Sequence, residues 1–113
     1  MRRRTQCFAI GAVKLTRVLP RNLEGRVFAD QLIRSATSVG ANYRAVCRAR
    51  SRREFIAKLG VVIEECDEAL FWFEVIVELE LVTREAASGL VKEGDEFLAI
   101  LTAARRTAQR RLT

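Results

Sequence analysis

Between Ile56 and Val77 the apolar residues fall at steps of three and four without a miss. Ile56, Leu59, Ile63, Cys66, Leu70, Phe73 and Val77 form a heptad seam, the pattern of a helix packed at a shallow angle against other helices. Phe55, Val62 and Ile76 widen that apolar face and Trp72 borders it. Such width suits a helix with neighbours on more than one side. Just upstream, Ser51-Arg52-Arg53-Glu54 reads as a capping box. In that motif the Ser hydroxyl accepts the backbone N–H three residues on and Glu54 reaches back. The pair of signals predicts a helix from Ser51 to about Leu81.

The remaining chain resolves into three more helices. Phe8, Ala12, Leu15 and Leu19 share a helical spacing, which predicts a first helix over residues 5–19, stopped by Pro20. Arg2, Arg3 and Arg4 then read as a frayed, solvated tail, with a binding arm as the competing reading. Phe28, Leu32, Ala36, Val39, Tyr43 and Val46 make one stripe of a second helix that starts near Leu23. Arg26, Arg34, Arg44 and Arg48 lie on its other side, and Ser35, Ser38 and Asn42 between the faces. Gly40 costs about 1 kcal/mol inside a helix, so it suggests close approach of another backbone or a mild bend. Packing within the chain and a subunit contact through Ser38, Gly40, Asn42 and Trp72 are both open readings. Thr83 caps a fourth helix with Leu90, Phe97, Leu101, Ala104 and Ala108 inward. Gly89 and Gly94 weaken it and suggest a bend.

Four helices with short connections predict an all-α, antiparallel up-down bundle and a single domain over residues 1–113. No repeat, linker or low-complexity segment interrupts it.

Charge is placed unevenly. The net charge is +6, but residues 1–58 carry 14 Lys/Arg against 3 acids, whereas residues 59–113 carry 6 against 11. The basic excess concentrates around the second junction, at Arg44, Arg48, Arg50, Arg52, Arg53 and Lys58, with Arg34 next. A polyanion partner fits such an asymmetry, as does a basic face of one subunit meeting an acidic face of another. Nucleic-acid contact through these residues would be electrostatic, with little sequence readout. The aromatic residues beside the basic run, Tyr43 and Phe55, lie on apolar faces rather than interleaving with the arginines, which argues against a single-strand stacking platform. The competing reading pairs the arginines with Glu64, Asp67, Glu68 and Glu74 and leaves a protein-interaction scaffold. Arg105, Arg106, Arg110 and Arg111 either stabilise a helix end or join the nucleic-acid surface.

Other chemistries find little support. The chain has no His, and its 3 cysteines, Cys7, Cys47 and Cys66, are odd in number and widely spaced. Each reads as a small buried hydrophobe in a reducing, cytoplasmic protein. Met1-Arg2-Arg3-Arg4 looks like the start of a signal sequence, but Lys14 breaks the apolar run after it. No stretch is apolar enough to span a membrane. Glu64 and Glu68 lie off the seam and lack histidine partners, so no metal or other cofactor is expected. The chain also lacks a nucleophile elbow and a phosphate-cradling glycine loop, so no enzymatic activity or small-molecule substrate is expected.

The chain resembles the bacterial four-helix-bundle proteins related to those encoded in intervening sequences of 23S ribosomal RNA. The residues that carry the resemblance are Phe8-Ala9, Leu19-Pro20, Gln31 to Ser35, Ser38 to Arg44, Cys47 to Ser51, Glu54 to Leu59, Glu65, Asp67, Glu68 and Trp72. The chain departs at Gly40, where some relatives carry Pro. The resemblance implies a ring-like homopentamer of four-helix protomers. It also implies kinship with basic accessory proteins of diversity-generating retroelements, which bind nucleic acid and a reverse transcriptase. It supplies no catalytic residues.

Overall fold

The chain folds as four helices in a computed structural model that describes residues 1–112. They are α1 (Arg2–Thr16), α2 (Leu23–Val46), α3 (Arg52–Glu78) and α4 (Arg84–Arg110). Four contacts fix their directions. Gly40 of α2 faces the backbone of Thr5 in α1, so α2 runs back along α1. Arg34 of α2 reaches Glu65 of α3. Ile56 of α3 lies beside Arg105 of α4, and Cys66 beside Gly94. Each helix is therefore antiparallel to its neighbour, and α1 closes the bundle against α4. The result is a rod of 49 × 21 × 19 Å.

Side-chain caps start three of the helices. Asn22 accepts the Gly25 N–H, Ser51 the Glu54 N–H and Thr83 the Ala86 N–H, all near 3 Å. Each satisfies one N–H that the first turn leaves without a partner. The Glu54 carboxylate approaches Lys58, four residues on, rather than completing a capping box. The end of α3 is a Schellman turn. Leu81 N–H donates to the Ile76 carbonyl and Glu80 N–H to that of Val77. Glu80 sits at φ 60°, where Gly is the usual residue.

The core is centred on Phe8, whose ring meets Phe73 and Phe97 edge-on at 6.0 and 5.4 Å. Leu32, Val39, Leu59, Val62, Cys66 and Ile76 fill the layers around these rings, all buried. Burial of each large apolar side chain contributes roughly 1.5–3 kcal/mol. The two buried hydroxyls are satisfied within their own helices. Thr5 donates to the Arg2 carbonyl and Ser35 to that of Gln31.

Several expectations are corrected. α1 spans residues 2–16, not 5–19, because Arg2 to Arg4 are helical rather than a frayed tail. Three arginines oppose the dipole at a helix start. Arg4 offsets this by binding Glu93 and Glu96 of α4. Leu19 lies beyond the helix, in the turn, and is still buried. α3 ends at Glu78, not Leu81, where Glu80 reverses the chain. The buried line of α3 runs through Leu59, Val62, Cys66, Ala69, Phe73 and Ile76, so Leu59, Cys66 and Phe73 of the expected seam are in the core, while Ile63, Leu70 and Val77 are half-buried flanks facing a neighbour. Only Cys66 is a buried thiol; Cys7 and Cys47 are exposed. α4 runs unbroken through Gly89 and Gly94. Among the described residues no helix is long and apolar enough to cross a membrane.

Candidate nucleic-acid interface

Alternating helix directions bring the start of α1, the end of α2, the start of α3 and the end of α4 into one half of the rod. Residues 1–5, 40–62 and 98–112 meet there, and Glu54 is the only acid among them. The sequence asymmetry thus becomes an axial one, with a basic pole. Arg44 and Arg48 stand at the C-terminal end of α2, where its dipole favours cations. Arg52 and Arg53 stand at the N-terminal end of α3, where the dipole disfavours them. An anion placed there would relieve both the dipole and the like charges.

Three shallow grooves join across this pole. One lies between α1 and α2, with Arg2, Arg3 and Arg44 along it over Gly40. The next crosses from α2 to α3 and is lined by Arg44, Arg48, Arg50, Glu54 and Lys58. The third opens at the tip, among Arg50, Arg52 and Arg111. Arg44 is shared by the first two and Arg50 by the last two, so the grooves form one continuous basic track. Arg44, Arg48, Arg50, Arg52 and Arg53 have no ion-pair partner among the described residues. Lys58 has one, Glu54 at 3.5 Å.

The structure divides the residues expected at this surface. Arg44, Arg48, Arg50, Arg52 and Lys58 come together along the track, whereas Arg53 is exposed and lines none of its grooves. Arg34 lies apart. It binds Glu65 at 3.0 Å and also Glu68, clasping α2 to α3. The guanidinium hydrogen bond holds the Glu68 carboxyl below its usual range, and the Trp72 indole N–H adds a second donor at 3.2 Å. Trp72 packs on Phe28 of α2, and Phe71 beside it is 53% exposed. Ser38 and Asn42 are linked on α2, the Asn42 amide donating to the Ser38 carbonyl at 2.9 Å. Gly40 is buried beneath α1. Ser38, Gly40 and Asn42 therefore sit together, and Trp72 lies well along the rod from them, beside Phe28.

Arg2, Arg3 and Arg111, for which the sequence left a binding role open beside a solvated tail or helix-end stabilisation, line the track. Helix direction is the signal that favours the binding reading, because an up-down bundle must gather these four helix ends. Arg105 takes the opposite role to its neighbours. Its Nε donates to the Ile56 carbonyl at 3.0 Å, and its guanidinium lies across Gly60, so it ties α4 to α3. No group of three or more metal-ligating side chains occurs among the described residues.

Residues 2–103 match the family model described as 23S rRNA-intervening sequence protein. The arginines at the end of α4 lie beyond the matched span. Among solved structures, the chain is similar to a protein of unknown function from the S23 ribosomal protein family of Bacteroides thetaiotaomicron. The two are 31% identical, with a TM-score of 0.85 over 92% of this chain and 96% of that one. Among curated proteins, none matches.

Proposed function

The chain belongs to the 23S rRNA-intervening sequence protein family, and we propose that it is a non-enzymatic accessory protein that binds RNA or DNA through its basic pole. The observation that carries this reading is the continuous track from Arg2 to Arg111, whose one acid, Glu54, is beside Lys58. Arginines without acidic partners remain available to phosphate, and each phosphate contact releases condensed counterions. The name of the family, with its reference to ribosomal RNA, supports a nucleic-acid ligand. The resemblance to ring-forming relatives extends the proposal to a homopentamer, in which five basic poles would act together. Native mass measurement tests that part, and a stable 12.8 kDa monomer would overturn it.

A second reading, an interaction scaffold whose arginines are spent on its own acids, is favoured by the pairing of Arg4 with Glu93 and Glu96 and by that of one arginine of the expected surface. Arg34 is paired with Glu65 and Glu68. Such a scaffold would dock an acidic or nucleic-acid-bound protein, a reverse transcriptase among them. The readings separate in a binding series on structured RNA and duplex DNA at rising salt. The wild type is compared with a variant carrying Arg48, Arg50, Arg52 and Arg53 as Ala. Nucleic-acid binding predicts a steep salt dependence in the wild type and a shallower slope in the variant, by about 0.9 per lost phosphate contact. Absence of binding by the wild type at low salt would leave the scaffold.

A further inference from the structure

The basic track ends in a pocket unlike the rest of it. This pocket opens at the tip of the rod between α2, α3 and α4, with a volume of about 730 Å³. Tyr43, Phe55 and Ala108 give it an apolar interior, and Arg50, Arg52 and Arg111 stand around it. No carboxylate lines it, and none of these three arginines has an ion-pair partner among the described residues. A groove of equal volume between α3 and α4 differs in kind, since Glu74, Glu78, Asp95 and Glu96 line it.

An acid-free apolar hollow beside unpaired guanidinium groups selects for a ligand with two parts. One part is flat and weakly polar, to lie on aromatic carbon. The other is anionic, to meet the arginines. A nucleotide has both, its base suited to the interior and its phosphate to the arginines. A base stacked inside a duplex cannot enter; an unpaired one can. We infer that this pocket receives one unpaired nucleotide at the end of a nucleic-acid strand, placed against Tyr43 and Phe55 with its phosphate on Arg50, Arg52 and Arg111. The inference rests on the nucleic-acid reading above and adds a structural preference to it. Tyr43, which from sequence lies on a core stripe, is half-buried and supplies one wall of the pocket. The aromatic contact is therefore a single pocket rather than a platform along the strand.

The test compares a blunt RNA hairpin with the same hairpin extended by one unpaired 2-aminopurine nucleotide, at either the 3′ or the 5′ end. The full-length wild type should bind an extended hairpin about tenfold more tightly than the blunt one, and the 2-aminopurine fluorescence should be quenched. Tyr43→Leu should lose that gain and keep the affinity for the blunt hairpin. Thr107→Trp, which fills the pocket from its exposed rim, should do the same and serves if Tyr43→Leu does not fold. Equal affinity for blunt and extended hairpins, with salt-sensitive binding of both, overturns the nucleotide pocket and leaves the electrostatic reading standing. Failure to bind any hairpin at low salt overturns both.

Discussion

Arg4 and Glu93, 89 positions apart, are joined by a two-pronged contact in which Nε and Nη2 of the guanidinium reach the two carboxylate oxygens at 3.0 and 2.6 Å. The same Nη2 reaches Glu96 at 2.7 Å, and the guanidinium carbon lies 5.1 Å from the centre of the Phe97 ring. This cluster is the polar clasp that holds the short first helix to the last.

The clasp makes stability depend on pH. The Arg4 hydrogen bond holds the Glu93 carboxyl below its usual range, as the Arg34 hydrogen bond does for Glu68. A carboxyl whose folded pKa is depressed contributes stability above its unfolded pKa, near 4.3, and loses it as pH falls through the folded value. Arg4→Leu should therefore lower the denaturation midpoint at pH 7, and the deficit should shrink toward pH 3. A deficit of equal size at both pH values would show that Arg4 acts through packing alone.

Two glycines should respond to alanine in opposite directions. A Cβ on Gly25 would run into the Pro20 carbonyl oxygen, in the turn that feeds α2. Nothing stands within 4 Å of a Cβ on Gly89, inside α4. Gly25→Ala should cost about 2 kcal/mol or more by forcing the turn open. Gly89→Ala should add roughly 0.5–1 kcal/mol through helix propensity. Urea unfolding of the two variants checks the contrast.

Glu80 marks a position where the protein is less stable than its fold permits. Its backbone lies at φ 60°, the left-handed position of the Schellman turn that ends α3. Glu80→Gly should stabilise by about 0.5–1 kcal/mol, because Gly adopts that conformation without a Cβ clash. An unchanged or lower urea midpoint would mean that the Glu80 side chain offsets the strain.

The thiols should separate by reactivity. Burial pushes the Cys66 thiol up to about 12, and its sulfur donates to the Gly94 carbonyl at 3.4 Å. Cys7 and Cys47 are exposed. An aromatic disulfide reagent at pH 8 should modify Cys7 and Cys47 quickly and Cys66 only after denaturation. Rapid reaction of Cys66 in the native protein would mean that the α3–α4 seam opens.

The helices and their order were legible in the chain, since Ser51 and Thr83 cap where a cap was expected and the apolar stripes lie on the buried sides. The centre of the α3 stripe was not. Its apolar residues cover a wide arc, and a wide arc does not say which of its lines faces inward. With α2 and α4 flanking the helix on both sides, Val62, Ala69 and Ile76 joined Leu59, Cys66 and Phe73 in the core, and Ile63, Leu70 and Val77 were left half-buried.

The candidate interface divides along the same physical boundary. Arg44, Arg48, Arg50, Arg52 and Lys58 are close in sequence, so a helix end, a short turn and a helix start hold them near one another in any bundle. Their proximity was a local property and could be read without a structure. Arg34 looked like one more member of that set, but Glu65 and Glu68 claimed it across a helix contact. Arg2 and Arg3 read as a solvated tail or a binding arm and Arg111 as a helix-end charge or a surface contact, and all three line the track. Local spacing, capping and periodicity act over a few residues, and the chain alone determined them. Which charges meet acids, which aromatics border a pocket and which helix ends share a pole depend on contacts between residues far apart in the chain. Only the packing of the four helices decided those.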